Sequence, residues 1–217
     1  MSLKYEDSKI IKKRLEVAHN PRIAKIRGEF FQREYSFFKR YIKNQRVLIA
    51  GSGLSHNSFE LAKYNKEVIG IELLKDLVKE SKKIVNKRRL KKIKFIQGDF
   101  TKLKYKKSFF DSAILNMGTI GNFSNKKEVI LALLKVSKKL YIDFYPPTKQ
   151  GLNNRKKMYE EERWINVKIK GNKIISEGGL ESASLSKKEI IEIIKSIRAK
   201  VKFYPFHKFS IMVEITK

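Results

Sequence analysis

The chain has 217 residues, 50 Lys and Arg against 22 Asp and Glu, a formal charge of +28, three His and no Cys. Without Cys there are no disulfides, zinc–thiolate sites or thiol nucleophiles, and so few His leave little from which to build a metal centre. No apolar run approaches the roughly 20 residues of a membrane span, and MSLKYEDSKIIKKRLEVAH has no apolar signal segment, so a cytoplasmic protein with no membrane partner is expected.

The length suits one α/β domain with decorations. The first expected element is a helix over residues 21–44, with Asn20 as cap, Pro21 in the first turn, and Ile23, Ile26, Phe30, Phe31, Phe37, Phe38 and Tyr41 forming its apolar face. Strands and helices then alternate. RVLIAG reads as a strand, HNSFELAKYN as a short helix, EVIGIEL as a strand, LKDLVKESKKIVNKRR as a helix and KIKFIQGD as a third strand. FFDSAILNMG, the helix NKKEVILALLKVSKK and the strand LYIDFY follow. Nearly continuous apolar strands joined by helices mean a parallel sheet covered on both faces.

Residues 148–185 break this rhythm. A helix-like NNRKKMYEEERW precedes WINVKIKGNKIISEGG, which alternates across Gly171-Asn172 as a hairpin does, and LESASL offers a third short strand. Ser186 and Glu189 form a capping-box pattern opening the next helix. KVKFYPFH and FSIMVEIT close the chain, joined by a link too short for a parallel return, so they form an antiparallel pair.

Gly51 and Gly53 fall at the carboxyl end of the first strand, where an open α/β sheet receives its ligand and the backbone must approach closely. Glu72 ends the second strand about 20 residues on, where a carboxylate accepts ribose hydroxyls. The ligand is therefore a nucleoside. A triphosphate loop would need Gly-Lys-Ser/Thr where Leu54, Ser55 and His56 follow, and a dinucleotide fingerprint would need glycine at His56.

These motifs resemble those of the class I S-adenosylmethionine (SAM)-dependent methyltransferases, and the resemblance covers about residues 46–217. VLIAGSGLS looks like that family's first motif, Glu72 like its ribose acid, IQGD with Asp99 like the acid that holds the adenine amino group, and FFDSAILNM like its strand-four motif. The family's usual acid two residues before the first glycine is Ile49 here, and a frequent third glycine is Ser55. The resemblance implies a Rossmann-like seven-stranded methyltransferase sheet in the order 3-2-1-4-5-7-6 with strand 7 antiparallel, N-terminal helices over 1–45, a methyltransferase domain over 46–217, and residues 148–185 as a lid after strand five, as in small-molecule enzymes. The cofactor contacts it implies are Gly51, Ser52, Gly53, Glu72, Leu73, Asp99, Phe100, Asn116 and Met117.

No residue pair has the form of a catalytic acid and base, and a sulfonium donor requires none unless the acceptor arrives protonated. Other features carry blander readings: Asp111 as a turn acid, His207 as an exposed turn histidine, and Tyr145 beside the transfer site without the Asn-Pro-Pro-Tyr signature of nucleobase amino-methylating enzymes. Methyl transfer to a small-molecule acceptor is the expected function. The alternatives are an RNA methyltransferase, whose docking rim would include Lys12, Lys13, Arg155 and Lys156, a non-catalytic SAM-fold RNA-binding protein, and aminopropyl transfer from a SAM-type donor. Nothing in the sequence fixes the oligomeric state.

Overall fold

The computed structural model describes residues 25–54, 56–177 and 179–217. The expected cap at Asn20, the helix start at Pro21, and Lys12 and Lys13 lie outside these. Within the described residues the elements follow in order as α1 (Lys25–Tyr41), β1 (Arg46–Ala50), α2 (His56–Leu61), β2 (Glu67–Glu72), α3 (Lys75–Lys87), β3 (Ile93–Gln97), β4 (Phe110–Leu115), α4 (Lys126–Val136) and β5 (Ser137–Phe144). After β5 come α5 (Lys149–Glu161), β6 (Lys168–Lys170), β7 (Lys173–Ile175), β8 (Glu181–Ala183), α6 (Lys187–Ser196), β9 (Lys200–His207) and β10 (Ser210–Thr216).

The main sheet has seven strands in the order β3-β2-β1-β4-β5-β10-β9. Its first five strands are parallel, with Leu48 of β1 opposite Ile69 of β2 and Ala113 of β4. β10 runs antiparallel to both β5 and β9, as the short terminal link required. This is the order expected from the sequence, with β10 and β9 as the seventh and sixth strands.

Both faces of the parallel strands are covered, and the pleat sorts their side chains. Val47, Ile49, Val68, Phe95, Ile114 and Tyr141 pack with Phe30 and Phe38 of α1, Phe59 of α2 and Val78 of α3. The alternate residues Leu48, Ala50, Ile69, Ala113, Leu115, Leu140 and Ile142 pack with Val129, Ile130 and Leu133 of α4 and Ile190 and Ile194 of α6. Helix α1 is thus part of the core. Phe30 and Phe38 are each 1% exposed, and burying such a side chain contributes about 1.5 to 3 kcal/mol.

Three details depart from the sequence reading. Helix α4 ends at Val136 and β5 begins at Ser137 with no intervening loop, because the Ser137 hydroxyl donates to the Leu133 carbonyl at 2.7 Å and closes the last turn. Asp111 lies inside β4; its carboxylate accepts from the Arg46 amide at 2.9 Å and pairs with Lys138 at 2.7 Å, tying together the amino ends of β1, β4 and β5. His207 is a half-buried residue of β9, its ring 4.4 Å from that of Phe209 and 5.6 Å from that of Phe30. Burial, and then the charges of Lys208 and Arg33, lower its pKa to about 4.

Residues 148–185 form α5, capped by the Thr148 hydroxyl accepting from the Gly151 amide, and a separate sheet ordered β6-β7-β8. β6 and β7 pair across Gly171-Asn172. β8 packs on the short 3-10 turn Thr119–Asn122 that follows β4, which sets the insertion against the carboxyl ends of β4 and β5.

Candidate functional site

Gly51 and Gly53 have φ of +62° and +52°, left-handed values that a side chain disfavours, so the loop after β1 turns sharply at the sheet's carboxyl edge. The Glu72 carboxylate reaches back to this loop: one oxygen accepts from the Gly53 amide at 2.8 Å and the other from the Leu74 amide at 3.0 Å. Each oxygen keeps a second lone pair, so the carboxylate both fixes the loop and retains capacity for two hydroxyl donors. The Ser52 hydroxyl is buried with no hydrogen-bond partner, and the Ser81 hydroxyl of α3 holds the Gly53 carbonyl at 3.2 Å. Leu73, half-buried, follows Glu72 and accepts at its carbonyl from the Gln97 amide at 3.4 Å.

Asp99 does local work at the end of β3. One oxygen accepts from the Thr101 amide at 2.8 Å and from its hydroxyl at 2.6 Å, capping the turn Phe100–Lys102. The other oxygen has Lys102 at 3.8 Å, and the side chain is 39% exposed. One carboxylate edge is thus spent on structure and the other faces outward. Phe100 is buried beneath the glycine loop, with a ring carbon 3.6 Å from where a Cβ of Gly51 would lie, and it meets Phe123 edge-on at 5.7 Å.

At the end of β4 Asn116 is buried, and its amide donates not outward but to Glu34 of α1, at 2.8 Å. Asn57 of α2 donates to the other Glu34 oxygen. Burial, followed by the nearby Asp143, raises the Glu34 pKa to about 8, against the hydrogen bonds from Asn116 and Asn57. Asp143 of β5 is also fully buried, and burial raises its pKa to about 7 although it accepts from the Gly118 amide at 3.1 Å and the Ser210 hydroxyl at 2.9 Å. Met117, between Asn116 and Gly118, has φ of +59°, a strained conformation for a side-chain-bearing residue. Two acids absent from the sequence reading thus stand directly behind the candidate ligand edge. Glu34 carried a signal: it lies four residues from both Phe30 and Phe38, a charge on the apolar stripe of α1.

The insertion brings a second polar group to the same region. Arg155 of α5 has no exposed surface, which removes it from any docking rim, while Lys156 pairs with Glu160 at the surface. The Arg155 guanidinium donates to the Ser182 hydroxyl at 2.9 Å, the Ser182 carbonyl at 3.2 Å and the Ser184 hydroxyl at 2.6 Å. It lies 4.6 Å over the ring of Tyr145, whose hydroxyl is buried without a partner. Desolvation pushes the Tyr145 phenol well above its usual pKa, so it stays protonated and can donate a hydrogen bond. Arg27 of α1 pairs with Glu162, which also accepts from the Trp164 indole at 3.1 Å, fastening α1 to the insertion.

Collected at one edge of the sheet are the predicted Gly51, Ser52, Gly53, Glu72, Leu73, Asp99, Phe100, Asn116 and Met117. This donor set fits a SAM-type nucleoside: a loop with no Cβ at its closest points, a buried unsatisfied hydroxyl, and carboxylates with free lone pairs at the ends of β2 and β3. Comparison with known structures gives the same fold. The PH0226 protein of Pyrococcus horikoshii aligns with a TM-score of 0.70 at 19% identity, over 91% of this chain and 96% of that one. A SAM-dependent methyltransferase of Aquifex aeolicus gives 0.66 at 19% identity over 98% of each chain. Magnesium protoporphyrin IX methyltransferase of Synechocystis, with bound S-adenosylhomocysteine (SAH), gives 0.69 at 15% identity over 98% of this chain and 96% of that one. No curated protein matches the sequence. The methyltransferase-domain family model matches residues 42–200, and the chain belongs to that family, within the class I SAM-dependent methyltransferases its motifs resemble.

Proposed function

We propose that the protein transfers a methyl group from SAM to a small acceptor held beneath residues 148–185. The observation that supports this is the way the insertion meets the sheet: α5 and β8 bury Arg155, Ser182 and Ser184 against Tyr145 at the end of β5. A polar interior closed over the strand ends is suited to a molecule that can be enclosed. The Synechocystis neighbour, by its name, acts on a porphyrin.

Gly51, Ser52, Gly53, Glu72 and Asp99 would hold the nucleoside, with Glu72 accepting from ribose hydroxyls beside the Gly53 amide. SAM supplies a methyl group on a good leaving group, so the protein's task is positioning and exclusion of water. Tyr145, with its phenol protonated, and the clamped turn Met117–Gly118 would orient the acceptor. Residues 148–185 act as a lid that closes over it.

An RNA acceptor is the second reading. In its favour is an open groove of about 830 Å³ between α1 and β9, where Arg33 and Arg40 flank Phe37, Tyr41 and Tyr204. Incubation of the protein with methyl-labelled SAM and a cell extract separates the two. Label in the small-molecule fraction is expected; label in RNA overturns the small-acceptor reading.

A further inference from the structure

A buried charge is ordinarily paired with an opposite one, since removing an ion from water costs several kcal/mol that neutral partners only partly return. The protein observes this rule even at the partly buried Arg27, where Glu162 neutralises the guanidinium. At Arg155 it does not. Among the described residues no carboxylate pairs with Arg155; its partners are two serine hydroxyls, one carbonyl and the face of Tyr145. Burial lowers its pKa, and the groups that oppose this are the phenols of Tyr159 and Tyr145, both of which burial itself keeps protonated.

The hydrogen bonds it does make leave a defined gap. Both terminal nitrogens are engaged, one by Ser182 of β8 and the other by Ser184 just after it, whereas Nε is buried with no partner, and so is the Tyr145 hydroxyl. Two unsatisfied donors therefore occur in one side-chain cluster, on a cation and on a phenol. Each needs an acceptor, and the cation also needs a negative charge.

The position of the cluster matters as much as its chemistry. Tyr145 is in contact with both Arg155 and the turn after β4: a Cβ on Gly118 would overlap the Tyr145 ring, and the Arg155 guanidinium lies 4.6 Å from the centre of the same ring. The hydrogen-bond partners of Arg155, Ser182 and Ser184, both come from the insertion. A group bound there is one aromatic ring from the residue that follows Met117.

We propose that Arg155, with the Tyr145 hydroxyl, receives an anionic group of the acceptor, a carboxylate or a phosphate, so that the substrate is a small anion whose charged end docks under the insertion and whose reacting atom lies toward Met117. This rests on the small-acceptor reading above and specifies it. Ser182 and Ser184 are positioning residues that aim the fork, and lid opening admits the anion.

The test uses the whole protein, labelled with 15N at arginine and saturated with SAH. The Arg155 Nε–H resonance, assigned by its loss in Arg155→Lys, is followed during titration with acetate, with inorganic phosphate and with neutral acetamide. A saturable shift of that resonance with one anion, the Arg27 resonance staying in place, is the expected result, and the anion that acts identifies the charged group. No shift with either anion, or an equal one with acetamide, overturns the proposal. In the labelled-extract experiment, the methyl acceptor should bind an anion exchanger before reaction. Arg155→Lys should raise its KM by about tenfold or more while leaving SAH affinity unchanged. Label in a small neutral acceptor refutes the anion site alone; label in RNA refutes the small-acceptor reading as well.

Discussion

Replacing Glu34 by Gln should make the protein more stable at mildly alkaline pH, the reverse of what deleting a buried hydrogen-bonding acid usually does. The carboxyl group is raised to about 8, mainly by burial, with Asp143 adding to it, whereas in the unfolded chain it titrates near the ordinary glutamate value of about 4.3. Below that value both states hold the proton and its burial has no pH dependence. Between the two values the folded state binds the proton more tightly than the unfolded state, so stability falls as pH rises. Each full unit of that window costs up to about 1.4 kcal/mol, giving a ceiling of about 4 kcal/mol between pH 5 and 8. Glutamine keeps the shape and stays neutral, and a flip of one partner amide, Asn57 or Asn116, supplies the acceptor its new N–H requires. Urea unfolding of both proteins at pH 5, 6.5 and 8 gives the comparison: matched stability at pH 5 and a growing advantage for Glu34→Gln at higher pH. Parallel stability curves, or a variant that is weaker at pH 8, would mean that Glu34 is ionised and paired in the folded protein, and the account of this cluster would be wrong.

Glu72→Ala removes the acceptor of the Gly53 and Leu74 amides, so it should lower stability by about 1 to 3 kcal/mol and weaken SAH binding by one to two decades; an unchanged dissociation constant by calorimetry would show that Glu72 serves the loop alone. Gly121→Ala places a methyl group on the Ala183 carbonyl of β8 and should cost about 1 to 3 kcal/mol as the insertion shifts. That corresponds to about 2 to 4 °C of melting temperature per kcal/mol in a chain of this size. Hydrogen exchange should quicken at residues 181–183, and a melt identical to wild type would place the insertion elsewhere.

The sheet was legible because its information is local. Five strands are nearly continuous apolar runs, their connections carry helical periodicity, and the two-residue link before Ser210 permits only an antiparallel return. Even the hairpin of the insertion was readable, since Gly171-Asn172 admits few other turns. The glycine loop and Glu72 belong to the same category: nineteen positions separate Gly53 from Glu72, and one strand–helix–strand unit sets their geometry. What escaped the sequence reading depends on distant partners. Glu34 finds Asn116 across 82 positions, and Arg155 finds Ser182 and Ser184 across 27 and 29. On a helix in isolation, either charge is read as an interruption of an apolar stripe or as one more surface residue, which is how Arg155 came to be placed on a basic rim. In a chain of +28 that error is natural, because cations on the surface so far outnumber those inside that composition gives no reason to single one out. Packing reverses the inference: a surface lysine is stabilised by water and needs no further explanation, whereas each buried charge without its opposite is a feature whose cost the fold must offset. Here the interior holds buried ionisable groups in two places, acids that burial holds toward their neutral form behind the candidate cofactor edge and an unpaired guanidinium beneath the insertion, and it is the guanidinium that is complementary to the anionic acceptor proposed above.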